Sequence, residues 1–324
     1  MRLTAAEKQE IIKLVEHSEL GVNRTLLQLG INKSTFYNWY KAYLDKGFSG
    51  LEPKHSTRQR WNTIPQGEKN LVVEIALEYA ELSPRELSCK LSDVKGIFIS
   101  ESSVYRILKA RGLITSPSHI LLAAGNEFSQ KTCFVHEMWQ TDFTYFKILG
   151  WGWYYLSTIL DDYSRFIVHW ELCKTMKTED VERTVNRALK AAALPKEFPL
   201  KLLSDNGSCY IAAELKEFLQ DKKIKPLHGK PNHPQTQGKI ERYHRSMKNV
   251  VKLDNYYCPA ELEAVLTSFV HYYNHERYHE SLENVTPADV YYGRQDEILK
   301  HRERIKKQTL KRRRQDYLRQ KLAS

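Results

Sequence analysis

Three carboxylates stand where a carboxylate needs a reason. Asp142 lies in "MWQTDFTYFKIL", whose β-branched and aromatic residues predict a strand, and Trp139 and Phe143 flank it. A charge within an apolar strand is costly unless it is paired or used. Asp205 ends the buried-looking run "LKLLS" and precedes the Asn206-Gly207 turn. That is the C-terminal end of a strand, where α/β proteins place ligands. Glu241 opens a helix at the end of "PNHPQTQGKIERYHR", among Lys239, Arg242, His244 and Arg245. Taken alone, Glu241 has two meanings. It pairs with Arg245 at i+4, worth at most about 0.5 kcal/mol, or it holds something else. Thirty-five residues separate it from Asp205.

The elements that must position these acids are legible in outline. From about residue 136 the chain reads βββ-α-β-α-β-α, with helices over 177–193 and 212–222 and a short strand in "IKPLHG". This order suggests a mixed α/β sheet with helices packed on it. Asp161 and Asp162, in "LDDYSR", read as the turn after the second strand, with Asp162 pairing with Arg165. Upstream, the texture is helical. Thr4 to Glu7 is a capping box ahead of the stripe Ile11, Ile12, Leu14 and Val15. A second short helix is broken by Gly30, and a third ends at Gly47. In the third, Phe36, Trp39, Tyr40 and Tyr43 fall at i, i+3, i+4 and i+7 and face inward. Lys33, Thr35, Tyr37, Asn38 and Lys41 are left on or near the outer face. This is helix-turn-helix geometry, or a plain three-helix bundle. A second unit follows, with a capping box at Ser83 to Glu86 and a helix from Ser100 to a Gly112 stop. Ser102, Ser103, Arg106, Lys109 and Arg111 fall mostly outward.

Composition narrows the partners. The net charge of +11 over 324 residues, with a pI near 9.2, points to a polyanion. Much of it sits from Lys300 onward, where eleven Lys and Arg face only Glu303 and Asp316. Two to three domains are expected at this length. The five cysteines are scattered without a CxxC, which reads as reduced cytosolic thiols and argues against a Cys-based zinc finger. The polar N-terminal helix is not a signal peptide, and no apolar run is long enough to span a membrane.

Together, "WQTDFTYF", "LLSDNGS" and "NHPQTQGKIERYHR" resemble the D,D-35-E set of the retroviral-integrase-type core. The chain more closely resembles bacterial insertion-sequence DDE transposases, and "YYNHERYHESLENVTPADVYYG" is similar to the segment that closes their core. The resemblance implies an α/β ribonuclease-H-like catalytic core preceded by two all-α helix-turn-helix units. It implies Asp142, Asp205 and Glu241 as catalytic ligands of two Mg²⁺ ions, for which Mn²⁺ can substitute, and cleavage and strand transfer of DNA. Oxygen donors suit Mg²⁺, and two such ions can activate the attacking oxygen and stabilise the leaving one. Gly238 would allow close approach of DNA or metal to the backbone. Lys239, Arg242, Arg245 and Lys248 then contact phosphates, and the outward residues of the two helix-turn-helix units bind element ends.

The layout expected is a helix-turn-helix unit over 1–47, a basic linker over 48–64 and a second helix-turn-helix unit over 65–115. A linker over 116–135, the core over 136–293 and a basic tail over 294–324 follow. The tail, read as partly helical, is either solvated or a non-specific phosphate contact. Partners are double-stranded DNA, at element ends and target, and further copies of the chain as a dimer or higher. The setting is cytoplasmic, at a bacterial nucleoid. The alternative is a catalytically inactive DNA-binding factor derived from a transposase. His271, His275 and His279 recur every four residues along one expected helix face. They suggest zinc, but no Cys or acid completes the set, so they read as structural or DNA-proximal. His228 and His233, flanking the loop before Glu241, either steer DNA or the nucleophile or shape the loop.

Overall fold

The computed structural model describes residues 3–18, 20–52, 60–114, 132–195, 198–228, 238–252 and 255–323. It divides into two compact units, residues 1–63 with 317–324, and residues 64–316. Most of the expected 116–135 linker, part of the 48–64 linker and His233 lie outside the described residues.

In the first unit, α1 (Ala5–Glu16), α2 (Val22–Gln28) and α3 (Lys33–Lys46) close on Ile12, Val15, Leu26 and Phe36. Thr4 caps α1 through the expected box with Glu7, and Asn32 caps α3 by accepting from the Ser34 amide at 3.0 Å. The start of the expected linker belongs to this core. Gly47–Leu51 forms a 3₁₀ turn and buries Leu51. Gly50 is required there, because a Cβ would run into the Ala42 carbonyl.

In the second unit, α4 (Gln66–Glu78), α5 (Pro84–Lys95) and α6 (Glu101–Ala110) pack around Val72, Ile75, Leu91, Val104 and Leu108. Then come β1 (Met138–Ile148), β2 (Gly152–Asp161), β3 (Ile167–Cys173), α7 (Thr178–Ala192), β4 (Lys201–Ser204), the short α8 (Ser208–Ile211), α9 (Ala213–Asp221) and β5 (Lys225–His228). After these follow α10 (Gly238–Val251), α11 (Pro259–His275), α12 (Pro287–Tyr291) and α13 (Gln295–Ala323). The sheet order is β3-β2-β1-β4-β5. The first three strands form an antiparallel meander, and β4 and β5 run parallel to β1. This mixed five-stranded sheet with flanking helices is the ribonuclease-H-like arrangement.

Strand alternation decides which helices cover which face. Phe146 and Ile148 of β1 join Leu156 and Leu160 of β2 against α10 and α11, through Ile240, Tyr243, Met247, Leu266 and Phe269. Trp139 and Ile159 face the other way, onto Val181 and Val185 of α7 and Leu215 and Leu219 of α9. Asp142 shares the α10 face with Phe146.

Two expectations are corrected. The basic tail is one 29-residue helix, and part of its charge is structural. Arg313, buried, donates to the equally buried Glu68 carboxylate at 2.5 Å, and Thr309 accepts from the Phe98 amide at 3.2 Å. Arg302 grips Asp93 of α5 through two donors at 2.8 and 2.7 Å. The three-histidine helix face does not exist. The α11 helix stops at His275, and the His279 amide instead donates to the Val285 carbonyl in an isolated bridge. Among the described residues, no group of three or more His, Cys, Asp or Glu is placed to hold a metal ion. Nor is any helix among them long and apolar enough to cross a membrane.

Candidate active site

Asp142 and Asp205 follow a parallel strand pair at the same offset. Gln140 of β1 pairs with Leu203 of β4 in parallel. Asp142 and Asp205 each lie two residues beyond that last pair, Asp205 just after the C-terminal end of β4. Asp205 turns at once into an Asx turn, its Oδ1 accepting from the Gly207 amide at 2.9 Å. A Cβ at Gly207 would meet that oxygen at 2.9 Å, so glycine keeps the turn open. His228, at the end of β5, sets its Nδ1 3.2 Å from the Ser204 hydroxyl, one residue before Asp205.

Glu241 approaches Asp142 from the helix side. It is exposed in the first turns of α10 and lines, with Asp142, a cleft of about 680 Å³ between β1 and α10. Arg245, Lys248 and Lys252 add cations to that cleft. Burial and the nearby Lys252 ammonium push the Lys248 ammonium down, with Asp142 opposing them.

The beginning of α10 is fastened to the sheet by buried polar groups. Lys239 extends its ammonium to the Asp162 carboxylate at 2.6 Å and to the Asp162 carbonyl at 3.0 Å. Asp162 is 3% exposed and also accepts from Gln140 Nε2 at 2.7 Å and the Thr132 hydroxyl at 2.6 Å. Gln140 in turn accepts from the Ile240 amide at 3.1 Å. The residues on either side of that amide are therefore held to β1 and to the end of β2, and Glu241 follows directly. This corrects one expectation and adds to another. Lys239 faces Asp162 instead of a phosphate, and Asp162 has Lys239 as a partner besides Arg165, which favours its ionised carboxylate and donates to its carbonyl at 3.2 Å. Asp161 is wholly buried in its turn, accepting from the His136 amide and the Ser164 amide and hydroxyl. Burial still pushes its carboxyl up to about 6, against those bonds.

One residue of the site was not singled out from sequence. His244, buried, sets Nδ1 3.3 Å from an Asp142 oxygen and Nε2 3.4 Å from the Thr158 hydroxyl. A carboxylate only accepts, so Nδ1 carries the proton between His244 and Asp142. The spacing held the signal, since Glu241 and His244 at i and i+3 share a helix face.

The remaining expected residues divide. Arg245 and Lys248 line the cleft, whereas Arg242 is exposed on α10 and does not line it. In α3, Lys33, Thr35, Tyr37, Asn38 and Lys41 are all exposed, as are Ser102, Arg106 and Lys109 of α6. Ser103 is half-buried and accepts from Arg106 at 3.2 Å, while Arg106 Nε donates to the Ser102 carbonyl at 3.0 Å. These bonds fold the Arg106 guanidinium back along its own helix.

The donor set is oxygen-only, which suits a hard divalent cation. The three acids are not gathered closely enough to grip an ion by themselves. That is compatible with Mg²⁺, which is held by one or two carboxylates together with substrate phosphates. Asp142 and Glu241 on one cleft, flanked by cations suited to phosphate, meet that requirement.

Residues 135–234 and 222–287 each match an integrase core domain, and residues 2–52 and 35–108 each match a homeodomain-like domain. The chain is 25% identical over 284 residues to the transposase of transposon Tn552 from Staphylococcus aureus, covering 76% of this chain and 56% of that protein. It therefore spans little more than half the length of that relative. It is 30% identical over 131 residues to the Gag-Pro-Pol polyprotein of mouse mammary tumor virus, covering 39% of this chain and 7% of the polyprotein. Among solved structures, a simian T-cell lymphotropic virus intasome chain is 17% identical with a TM-score of 0.45, covering 68% of this chain and 74% of that one. The HTLV-2 integrase catalytic core domain, solved with magnesium, is 20% identical with a TM-score of 0.39, covering 49% and 97%.

Proposed function

We propose that the chain is an insertion-sequence DDE transposase with an integrase-type core, which binds the ends of a mobile DNA element and cuts and joins DNA strands there. The observation that carries this is the cleft that Asp142 on β1 and Glu241 on α10 line together, with Arg245, Lys248 and Lys252 around the rim. Asp142, Asp205 and Glu241 would hold Mg²⁺, or Mn²⁺ in its place. The bound ions, two in this reading, supply activation of the attacking oxygen and stabilisation of the leaving oxygen.

The protein's own groups do the positioning. Arg245, Lys248 and Lys252 take phosphates of the strand entering the cleft, where charge fixes orientation without reading sequence. His244 holds the Asp142 carboxylate through its Nδ1–H, with Thr158 behind it. The Asp162–Lys239–Gln140 cluster sets where α10 begins and so where Glu241 points. The outward residues of α3 and α6 supply end recognition. Two ends must be joined at once, so the working form is a dimer or higher, acting on DNA in the cytoplasm. The working domains are the two helix-turn-helix units, the core to residue 293 and the basic helix after it.

The test is strand cleavage of a labelled element-end duplex with Mg²⁺ or Mn²⁺, comparing wild type with Glu241→Gln. Cleavage lost in the variant with binding retained is the expected result. Equal activity of both would remove Glu241 from the site. Tight end binding with no cleavage by either would favour a DNA-binding factor.

A further inference from the structure

The β1–β2 hairpin carries aromatic side chains to solvent where none is needed for the core. Tyr145 is 53% exposed, Trp153 53% and Trp151 58%, and Leu149 beside them is 48% exposed. Trp139 and Phe143, on the same alternation of β1 as Tyr145, pack towards α7 and α9. At Tyr145 and Lys147 that cover has ended, and both are exposed. Register makes Lys147 the partner of Trp153 and Tyr145 the partner of Tyr155. Tyr145 and Trp153 are diagonal neighbours, and their rings meet edge-to-face with centroids 5.5 Å apart.

Two further features point to the occupant. Each ring already carries a cation, Lys248 over Tyr145 at 4.9 Å and Lys147 over Trp153 at 5.9 Å. Tyr145 is also a wall of the cleft that holds Asp142 and Glu241. The aromatic surface thus starts at the cleft and runs away from it along the hairpin. An apolar protein partner would have to bury Lys147 and Lys248 unpaired, which is costly. A nucleotide brings a flat base for the ring and a phosphate for the neighbouring ammonium. Inside a duplex, bases are stacked on each other and cannot use these rings. Unpaired bases can, whatever their sequence.

We propose that this hairpin is a stacking platform for unpaired nucleotides of the DNA strand handled at the adjoining cleft. The inference rests on the function proposed above. It places the single-stranded flank of a cut or frayed end along Tyr145 and Trp153, with its phosphates on Lys147 and Lys248.

The test uses the full chain in EDTA, so that binding is measured apart from cleavage. A blunt duplex is compared with the same duplex carrying a single-stranded 3′ extension, by fluorescence anisotropy. Wild type is expected to bind the extended probe about tenfold more tightly than the blunt one. Trp153→Ala should abolish that preference without changing affinity for the blunt probe, and Trp153→Phe should keep it. Wild type without preference, or a preference that survives Trp153→Ala, overturns the proposal. A fall in oligomeric state with Trp153→Ala by light scattering, the preference unchanged, also overturns it and assigns the surface to a second copy of the chain. A wild type that prefers the extended probe yet cleaves nothing in Mg²⁺ would count against the transposase reading alone.

Discussion

Lys239 shows how a residue's type leaves its role open until its partner is known. In sequence it is one of several cations around Glu241, and phosphate binding is the natural expectation. In the fold its ammonium is spent on Asp162, whose carboxylate is buried. The two roles predict different failures. If Lys239 bound a phosphate, Lys239→Met would weaken DNA binding and lower its salt dependence by about one ion. Loss of the buried partner instead leaves the Asp162 charge to Gln140, Thr132 and the Arg165 charge, at a cost of no more than about 3 kcal/mol of stability. It also frees the start of α10, and misplacing Glu241 by about an ångström would cost on the order of 100-fold in rate. We expect the second pattern, with lower melting temperature and cleavage but unchanged DNA affinity. Adding Asp162→Leu to Lys239→Met should recover much of the stability, since an apolar pair can replace a buried ion pair, without recovering the rate. The carboxylates themselves were legible because each sits at an element's end or inside a strand. His244 was not, because its approach to Asp142 depends on how α10 lies across the sheet.

At the scale of elements, the strands and their connecting helices could be read because alternation and turn residues are local signals. The first three strands, β4 and the α10 start all fall where those signals put them, whereas the parallel pairing of β4 with β1 is seen only in the fold. The α13 helix is different in kind. Its polar residues show no simple apolar stripe, so the sequence leaves a solvated tail as an open choice. What orders it is distant along the chain, at Glu68, Asp93 and Phe98. The sharpest of these interactions is Glu68 with Arg313, both nearly inaccessible. Glu68→Ala would leave the Arg313 guanidinium buried with only the Phe98 carbonyl, at 3.0 Å, among its partners. The expected cost is about 3 kcal/mol, seen as a lower melting temperature. Protection of amides in α13 and α4 should fall in hydrogen exchange, while α10 and the sheet are left as they were. Uniform loss across the whole unit would mean that α13 is not a separately anchored element.

Over the unit spanning residues 64–316, buried titratable groups set how stability responds to acid. Trp139 donates its indole N–H to His136 Nδ1 at 3.0 Å, which requires that nitrogen unprotonated. Burial pushes His136 down to about 4 and His279, whose Nε2 has no hydrogen-bond partner among the described residues, down to about 3. The unfolded imidazoles titrate near 6.5. Between about pH 6.5 and 4 the unfolded chain therefore takes up protons that the folded chain refuses, and stability falls as pH falls. By pH 5 each histidine contributes a loss of about 2 kcal/mol before partial exposure is discounted, and about 1 kcal/mol after it. Asp161 acts in the opposite sense. Held at about 6 in the fold, it binds a proton before the unfolded carboxyl does, and so offsets about 1 kcal/mol between pH 7 and 5. The two histidines outweigh it. Urea midpoints should fall from pH 7 to pH 5. His279→Leu should flatten that slope by removing one of the refused protons, whatever it does to the midpoint at pH 7. An unchanged slope would show that His279 takes up its proton in the folded state, through an opening to solvent beside Tyr273, the ring it meets edge-on at 4.8 Å.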